Sequence, residues 1–160
     1  MSFINIPRPP KSVLSDVNLK ALSNIDKELL KQLLDIFDGN FINFYKNHDF
    51  RSKFRHDYVS KLNLFCISWD DVTHEFIDVD MEANKKQLYK ASSELATIIS
   101  TNTAVLDEYY SSVYPDNLMY TELDRKRFEA EAKQINDGCT PFVTVCESFI
   151  RYTKRRLAES

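Results

Sequence analysis

The sequence predicts an all-α fold, an elongated antiparallel bundle of three or four helices in a single domain. Three observations carry this expectation. Apolar residues recur at steps of three and four along most of the 160 residues. Only two glycines, Gly39 and Gly138, punctuate the chain, and they lie far apart. Tyr114-Pro115-Asp116-Asn117 supplies a sharp stop between two long periodic stretches. At this length a chain buries close to 70% of its unfolded surface, so a core closes without disulfide or metal staples.

Residues 1–14, with Pro7, Pro9 and Pro10, read as an extended N-terminal arm, because proline fixes φ and lacks an N–H. The bundle domain then occupies residues 15–160, and a short helical turn is expected after Ser15. A first helix is expected from Ser23 or Asn24 to about Asn47. Its stripe is Ile25, Leu29, Leu30, Leu33, Leu34, Phe37, Phe41, Phe44 and Tyr45, with Gly39 costing about 1 kcal/mol within it. Phe50, Phe54, Tyr58 and Leu62 recur every four residues and suggest a shorter second helix. The segment at 62–79 contains Leu64-Phe65-Cys66-Ile67-Ser68-Trp69 and then Asp70-Asp71. It reads as an extended connection or small hairpin, although its periodicity also fits a continuing helix.

A long helical hairpin is expected next, at about 81–113 and 121–157. Asp80 is the expected N-cap of its first arm, with Glu82 in the first turn. Leu88, Leu95, Asn102 and Tyr109 repeat every seven, interleaved with Ala91, Ile98 and Val105, which is coiled-coil-like spacing. Such a helix would extend roughly 50 Å. The second arm opens on Thr121 and Asp124 at capping-box spacing, and its stripe is Phe128, Ala132, Ile135, Cys139, Phe142, Cys146, Phe149 and Thr153. Gly138 and Pro141 interrupt it chemically, yet the stripe keeps its phase, which favours one kinked helix. Thr140 capping a fresh helix with Pro141 at its first position is the alternative.

Charge and composition exclude several function classes. The net charge of −3 offers no global field for nucleic acid or an anionic membrane. The basic group Arg151, Lys154, Arg155 and Arg156 reads as a helix C-terminus whose cations offset the dipole. Two separated glycines write neither a P-loop nor a dinucleotide fingerprint. No apolar run is long enough to span a membrane. Three cysteines without CxxC spacing, and a start lacking signal-peptide character, suggest free thiols in a reducing cytoplasm. Cys139 and Cys146, seven apart, read as small core hydrophobes.

Few side chains invite chemistry. The acidic stretch Asp70, Asp71, Glu75, Asp78, Asp80 and Glu82 with His74 fails the EF-hand pattern, lacking the loop glycine and the final glutamate, so no metal or cofactor is expected. His48-Asp49 and His56-Asp57 would need further His and Asp ligands on other helices to hold a metal, and after residue 74 the sequence has no histidine. No serine sits on a glycine elbow, so no Ser-His-Asp arrangement is expected. The segment Arg51-Ser52-Lys53-Phe54-Arg55-His56 resembles the Arg–polar–His motif of the HEPN-domain ribonucleases, which are also all-α. The resemblance implies metal-independent RNA cleavage, with His56 as acid/base on a ribose hydroxyl and Arg51 steadying the scissile phosphate.

The function expected first is non-enzymatic: a cytoplasmic helical interaction or regulatory protein that self-associates or binds a protein partner. The interaction candidates are Trp69 and Phe76, which flank the acidic turn, and Asn102 and Tyr109 on the heptad seam. For Trp69 and Phe76, anchoring the loop onto the bundle is the other reading.

Overall fold

The computed structural model describes residues 21–115 and 119–159. The expected N-terminal arm and the turn after Ser15 lie outside the described residues, as do Asp116 and Asn117 of the stop signal. The fold is mostly helical, with one small sheet. Helix α1 spans Asn24–Ile36, and the Ser23 hydroxyl caps it by accepting from the Asp26 N–H at 3.0 Å. Helix α2 spans Gly39–Asn47. The single helix expected at 24–47 is therefore two. Asp38 leaves helical geometry and its carboxylate accepts from the Phe41 N–H at 2.8 Å, which starts a new N-terminus.

Strand β1 is Phe54–Arg55, and helix α3 runs His56–Ser68. The expected helix at 50–62 thus begins six residues late. Of the two readings of 62–79, the continuing helix holds as far as Ser68 and the extended or hairpin reading does not; a short 3-10 turn follows at Val72–His74. Helix α4 covers Val79–Asn102, with Asp78 rather than Asp80 as its cap; the Asp78 carboxylate accepts from the Met81 N–H at 2.8 Å. It stops eleven residues short of the expected 113, because β2 (Ala104–Val105) and β3 (Tyr110–Ser112) follow. The sheet order is β1-β3-β2, antiparallel throughout, with Phe54 and Val105 both opposite Ser111.

Helix α5 runs unbroken over Glu122–Ala158, through Pro141. Its capping box is complete, since Thr121 and Asp124 each accept from the other's backbone N–H at 3.1 Å. Gly138 serves packing. A Cβ there would meet the Ile98 Cδ1 at 3.3 Å and the Leu95 Cδ1 at 3.6 Å, so the bare backbone lets α4 lie close. Contacts between α4 and α5 run in opposite directions along the two helices: Asp78 meets Arg156, Leu95 and Ile98 meet Gly138, and Asn102 meets Gln134. Leu88 and Leu95 of the heptad seam are buried within this one chain. No helix among the described residues is long and apolar enough to cross a membrane.

The core between α2, α3 and α5 is aromatic. Phe37 meets Phe41 and Phe65 edge-on at 5.1 and 4.9 Å, and Phe142 reaches Tyr45 at 5.2 Å. At the other end of α5, buried charges fasten the loop before α4. Arg156 forks onto both Asp78 oxygens at 2.8 and 2.7 Å and donates to the Tyr152 hydroxyl at 2.7 Å. Asp26 accepts from the Ile77 and Asp78 N–H groups, both at 2.9 Å. Glu82 accepts from the Phe76 N–H at 3.0 Å and pairs with Lys85 at 2.9 Å, whose Nζ donates to the His74 carbonyl at 2.8 Å. An Asp26→Asn variant keeps one acceptor oxygen and leaves one of these two part-buried N–H groups unmatched. Its urea midpoint is expected to fall by the equivalent of about 1–3 kcal/mol. An unchanged midpoint would remove Asp26 from the loop's anchoring.

Candidate functional site

The sheet and the first turn of α3 build a polar junction around His56. The turn between β2 and β3 is shaped by Asp107, whose carboxylate accepts from the Tyr109 and Tyr110 N–H groups at 2.8 and 2.9 Å. Those bonds hold its carboxyl below the usual carboxylate range. The turn presents two carbonyls to the imidazole: His56 Nε2 lies 3.0 Å from the Glu108 oxygen and 3.2 Å from the Asp107 oxygen. Carbonyl oxygens only accept, so Nε2 carries the proton. On the neutral ring Nδ1 then presents a lone pair, and the Ser111 hydroxyl lies 2.7 Å from it as donor. Ser111 reaches this position because β3 pairs it with Phe54, two residues before His56. The His56 N–H donates to the Tyr109 carbonyl at 3.0 Å, which locks helix start and turn together.

A cleft of about 440 Å³ opens beside this pair, with His56, Ser60, Asn63, Ile99, Val105 and Ser111 among its walls. Among the described residues, no Asp, Glu, Lys or Arg contributes to it. A second cleft, of about 430 Å³, lies between α2 and α5. Several of its polar side chains are already engaged, Lys46 with Glu147 at 3.4 Å and Asn136 with the Phe50 N–H and Asp49 at 2.8 and 3.0 Å.

Arg51 belongs to a different network. Its guanidinium grips Asp49 at 2.9 and 2.7 Å and reaches Glu129 at 3.5 Å. Hydrogen bonds from Arg51, then Asn136, hold the Asp49 carboxyl far below its ordinary value. Arg51 is not among the residues lining the His56 cleft.

The four interaction candidates fall as follows. Trp69 and Phe76 are buried; the indole packs on His74 at 4.5 Å and on Phe65 at 5.9 Å, so both anchor the loop and neither is an exposed docking surface. Asn102 ends α4 and ties it to α5 within the chain, donating to the Ile98 carbonyl at 2.8 Å and the Gln134 side chain at 3.3 Å. Tyr109 is exposed, but on the β2–β3 turn rather than on a helical seam, with the Arg55 guanidinium 5.8 Å from its ring centre. Arg156 of the expected solvated basic end turns inward and is buried.

The acidic stretch serves the backbone. Asp71 accepts from the His74 N–H and ring at 3.0 and 2.7 Å, while Asp78 and Glu82 take the bonds given above. Burial pushes the Cys139 thiol up to about 12 and raises Cys146 further, which suits the inert core role expected of them. Sequence reasoning missed Ser111, which stands 55 positions from His56 and carries no motif around it. No protein-family model, curated protein or solved structure matches the chain.

Proposed function

We propose that the chain is a cytoplasmic helical interaction protein that pairs with a second copy of itself through the end of the molecule where α1, α4 and α5 meet. The observation carrying this reading is a group of exposed apolar side chains beside the buried ion cluster. Ile25, Ile77, Val79 and Leu157 are 67%, 64%, 80% and 41% exposed. They neighbour Asp26, Asp78 and Arg156 in sequence, and those three are joined by hydrogen bonds. Exposed apolar side chains close together on a surface are the kind of feature that a protein partner covers. A two-fold contact uses one patch on both copies, so a single surface suffices. Burial of Leu88 and Leu95 of the heptad seam within the chain supports a contact at this end rather than along the seam. The free thiols Cys66, Cys139 and Cys146 suit a reducing compartment.

Sedimentation equilibrium of the wild type and of an Ile77→Asp, Val79→Asp double variant tests the proposal. The wild type is expected to be a dimer and the variant a monomer with an unchanged melting temperature. A monomeric wild type at high protein concentration, or a variant that still dimerises, overturns it.

A further inference from the structure

We propose that His56 and Ser111 form a base–nucleophile pair that opens small uncharged esters bound in the cleft beside them. This goes beyond the interaction reading and departs from the non-enzymatic expectation. The arrangement has the parts a nucleophilic serine needs: a hydroxyl within hydrogen-bond reach of a base, and a third group that orients the base. The Ser111 hydroxyl lies 2.7 Å from Nδ1, and the Glu108 and Asp107 carbonyls hold Nε2–H at 3.0 and 3.2 Å. The carbonyls thus perform the orienting task that a carboxylate performs elsewhere: they select the tautomer whose lone pair faces the serine.

The cleft supplies the rest. Ser111 is buried among its strand neighbours but forms part of the cleft wall, at about 440 Å³ the size of a small-molecule site. His56, Ser60 and Asn63 recur at helical spacing along one face of α3, and all three line this cleft. The side chains of Ser60 and Asn63 hydrogen-bond no other described residue, so their donors are available to a bound molecule. Ser60 stands one turn, roughly 6 Å, along the axis from His56, which suits a donor to the oxygen on which charge develops. Asn63, a turn further, suits the acyl or alkoxy portion. Ile99 and Val105 give apolar wall, and a lining without charged side chains among the described residues favours uncharged substrates over phosphates and carboxylates.

In the first step the Ser111 Oγ–C bond forms as the hydroxyl proton passes to Nδ1. The ester's C–O bond then breaks, and the leaving alkoxide takes that proton from the imidazolium. Water repeats the sequence on the acyl-serine, giving carboxylic acid and free Ser111, so ester and water become acid and alcohol with no other reactant.

A biotinylated fluorophosphonate is the probe. It forms an Oγ–P bond with loss of fluoride, and it records the nucleophile whichever ester is natural. The wild type is expected to gain the mass of one probe less HF per chain, mapped by peptide mass spectrometry to Ser111. His56→Gln is expected to slow labelling at least ~100-fold, the scale of a lost general base, and Ser111→Ala to abolish it. Mapping on the wild type stands even if either variant fails to fold. No adduct under excess probe, an adduct mapped to another residue, or undiminished labelling of His56→Gln overturns the proposal.

Discussion

Replacing Arg156 with methionine is expected to lower the unfolding free energy by about 3–5 kcal/mol, the range seen when one partner of a buried ion pair is removed. In a chain of this size that moves the Tm by roughly 6–20 °C. The guanidinium is 1% exposed and forks onto Asp78, which is itself mostly enclosed. Without it, the Asp78 carboxylate keeps its desolvation cost and loses its charge partner, and the Tyr152 hydroxyl loses its donor. The double variant Asp78→Asn, Arg156→Met removes both charges while retaining an oxygen to cap α4. It is expected to recover part of the loss, and a double variant no better than Arg156→Met would assign the damage to packing alone.

The same pair sets a pH dependence. Hydrogen bonding to Arg156 holds the Asp78 carboxyl below its ordinary value, against the opposing effect of partial burial. A carboxyl whose folded pKa is depressed contributes stability that is fully present above its unfolded value of about 4. That contribution is lost as pH falls through the folded pKa. The stability gap between wild type and Arg156→Met is therefore expected to be complete at neutral pH and to narrow in acid. Urea titrations at several pH values measure it, and a gap that stays constant into strong acid would show that Asp78 is not the partner that matters.

What could be read from the sequence was local. The Thr121–Asp124 box and the four-and-three stripe of α5 are short-range signals; the box starts the helix and the stripe keeps its phase through Pro141. The division between α1 and α2 was also written locally, as Asp38-Gly39. It was hidden because Leu33, Phe37 and Phe41 stay on the buried side across the break. In α3, Leu64 and Ile67 face solvent while Leu62, Phe65 and Trp69 are buried, so exposed apolar residues filled in the period and mimicked a strand. The end of α4 shows the opposite error. The seven-residue count continues to Tyr109, but the Thr101, Asn102 and Thr103 side chains bond back to the Thr97, Ile98 and Ile99 carbonyls, and the chain leaves for the sheet. The candidate site was half visible. His56 stood out by residue type, whereas its partners Ser111, Asp107 and Glu108 arrive through strand pairing across more than fifty residues, a separation at which periodicity carries no information.

Phe142→Ala is expected to be as damaging as the Arg156 change, about 3–5 kcal/mol, for a purely apolar reason. The ring is buried where α5 crosses α2, with Tyr45, Phe41 and Phe37 at 5.2, 6.3 and 6.5 Å between ring centres. Tyr45 cannot swing in to fill the gap, because its hydroxyl donates to the Tyr58 carbonyl at 2.8 Å and fixes the ring toward α3. The cavity therefore stays open, and the loss exceeds the transfer free energy of the missing atoms. Phe142→Leu leaves a smaller void and is expected to lose less, about 1–2 kcal/mol. Leu123→Ala on the same helix, at a side chain exposed to solvent, should stay within about 0.5 kcal/mol. Urea unfolding of the three variants under one set of conditions gives the order. If Phe142→Ala fell close to Leu123→Ala, the aromatic cluster would not be what joins α2 to α5, and the Lys46–Glu147 and Asn136 contacts along that seam would have to carry the junction.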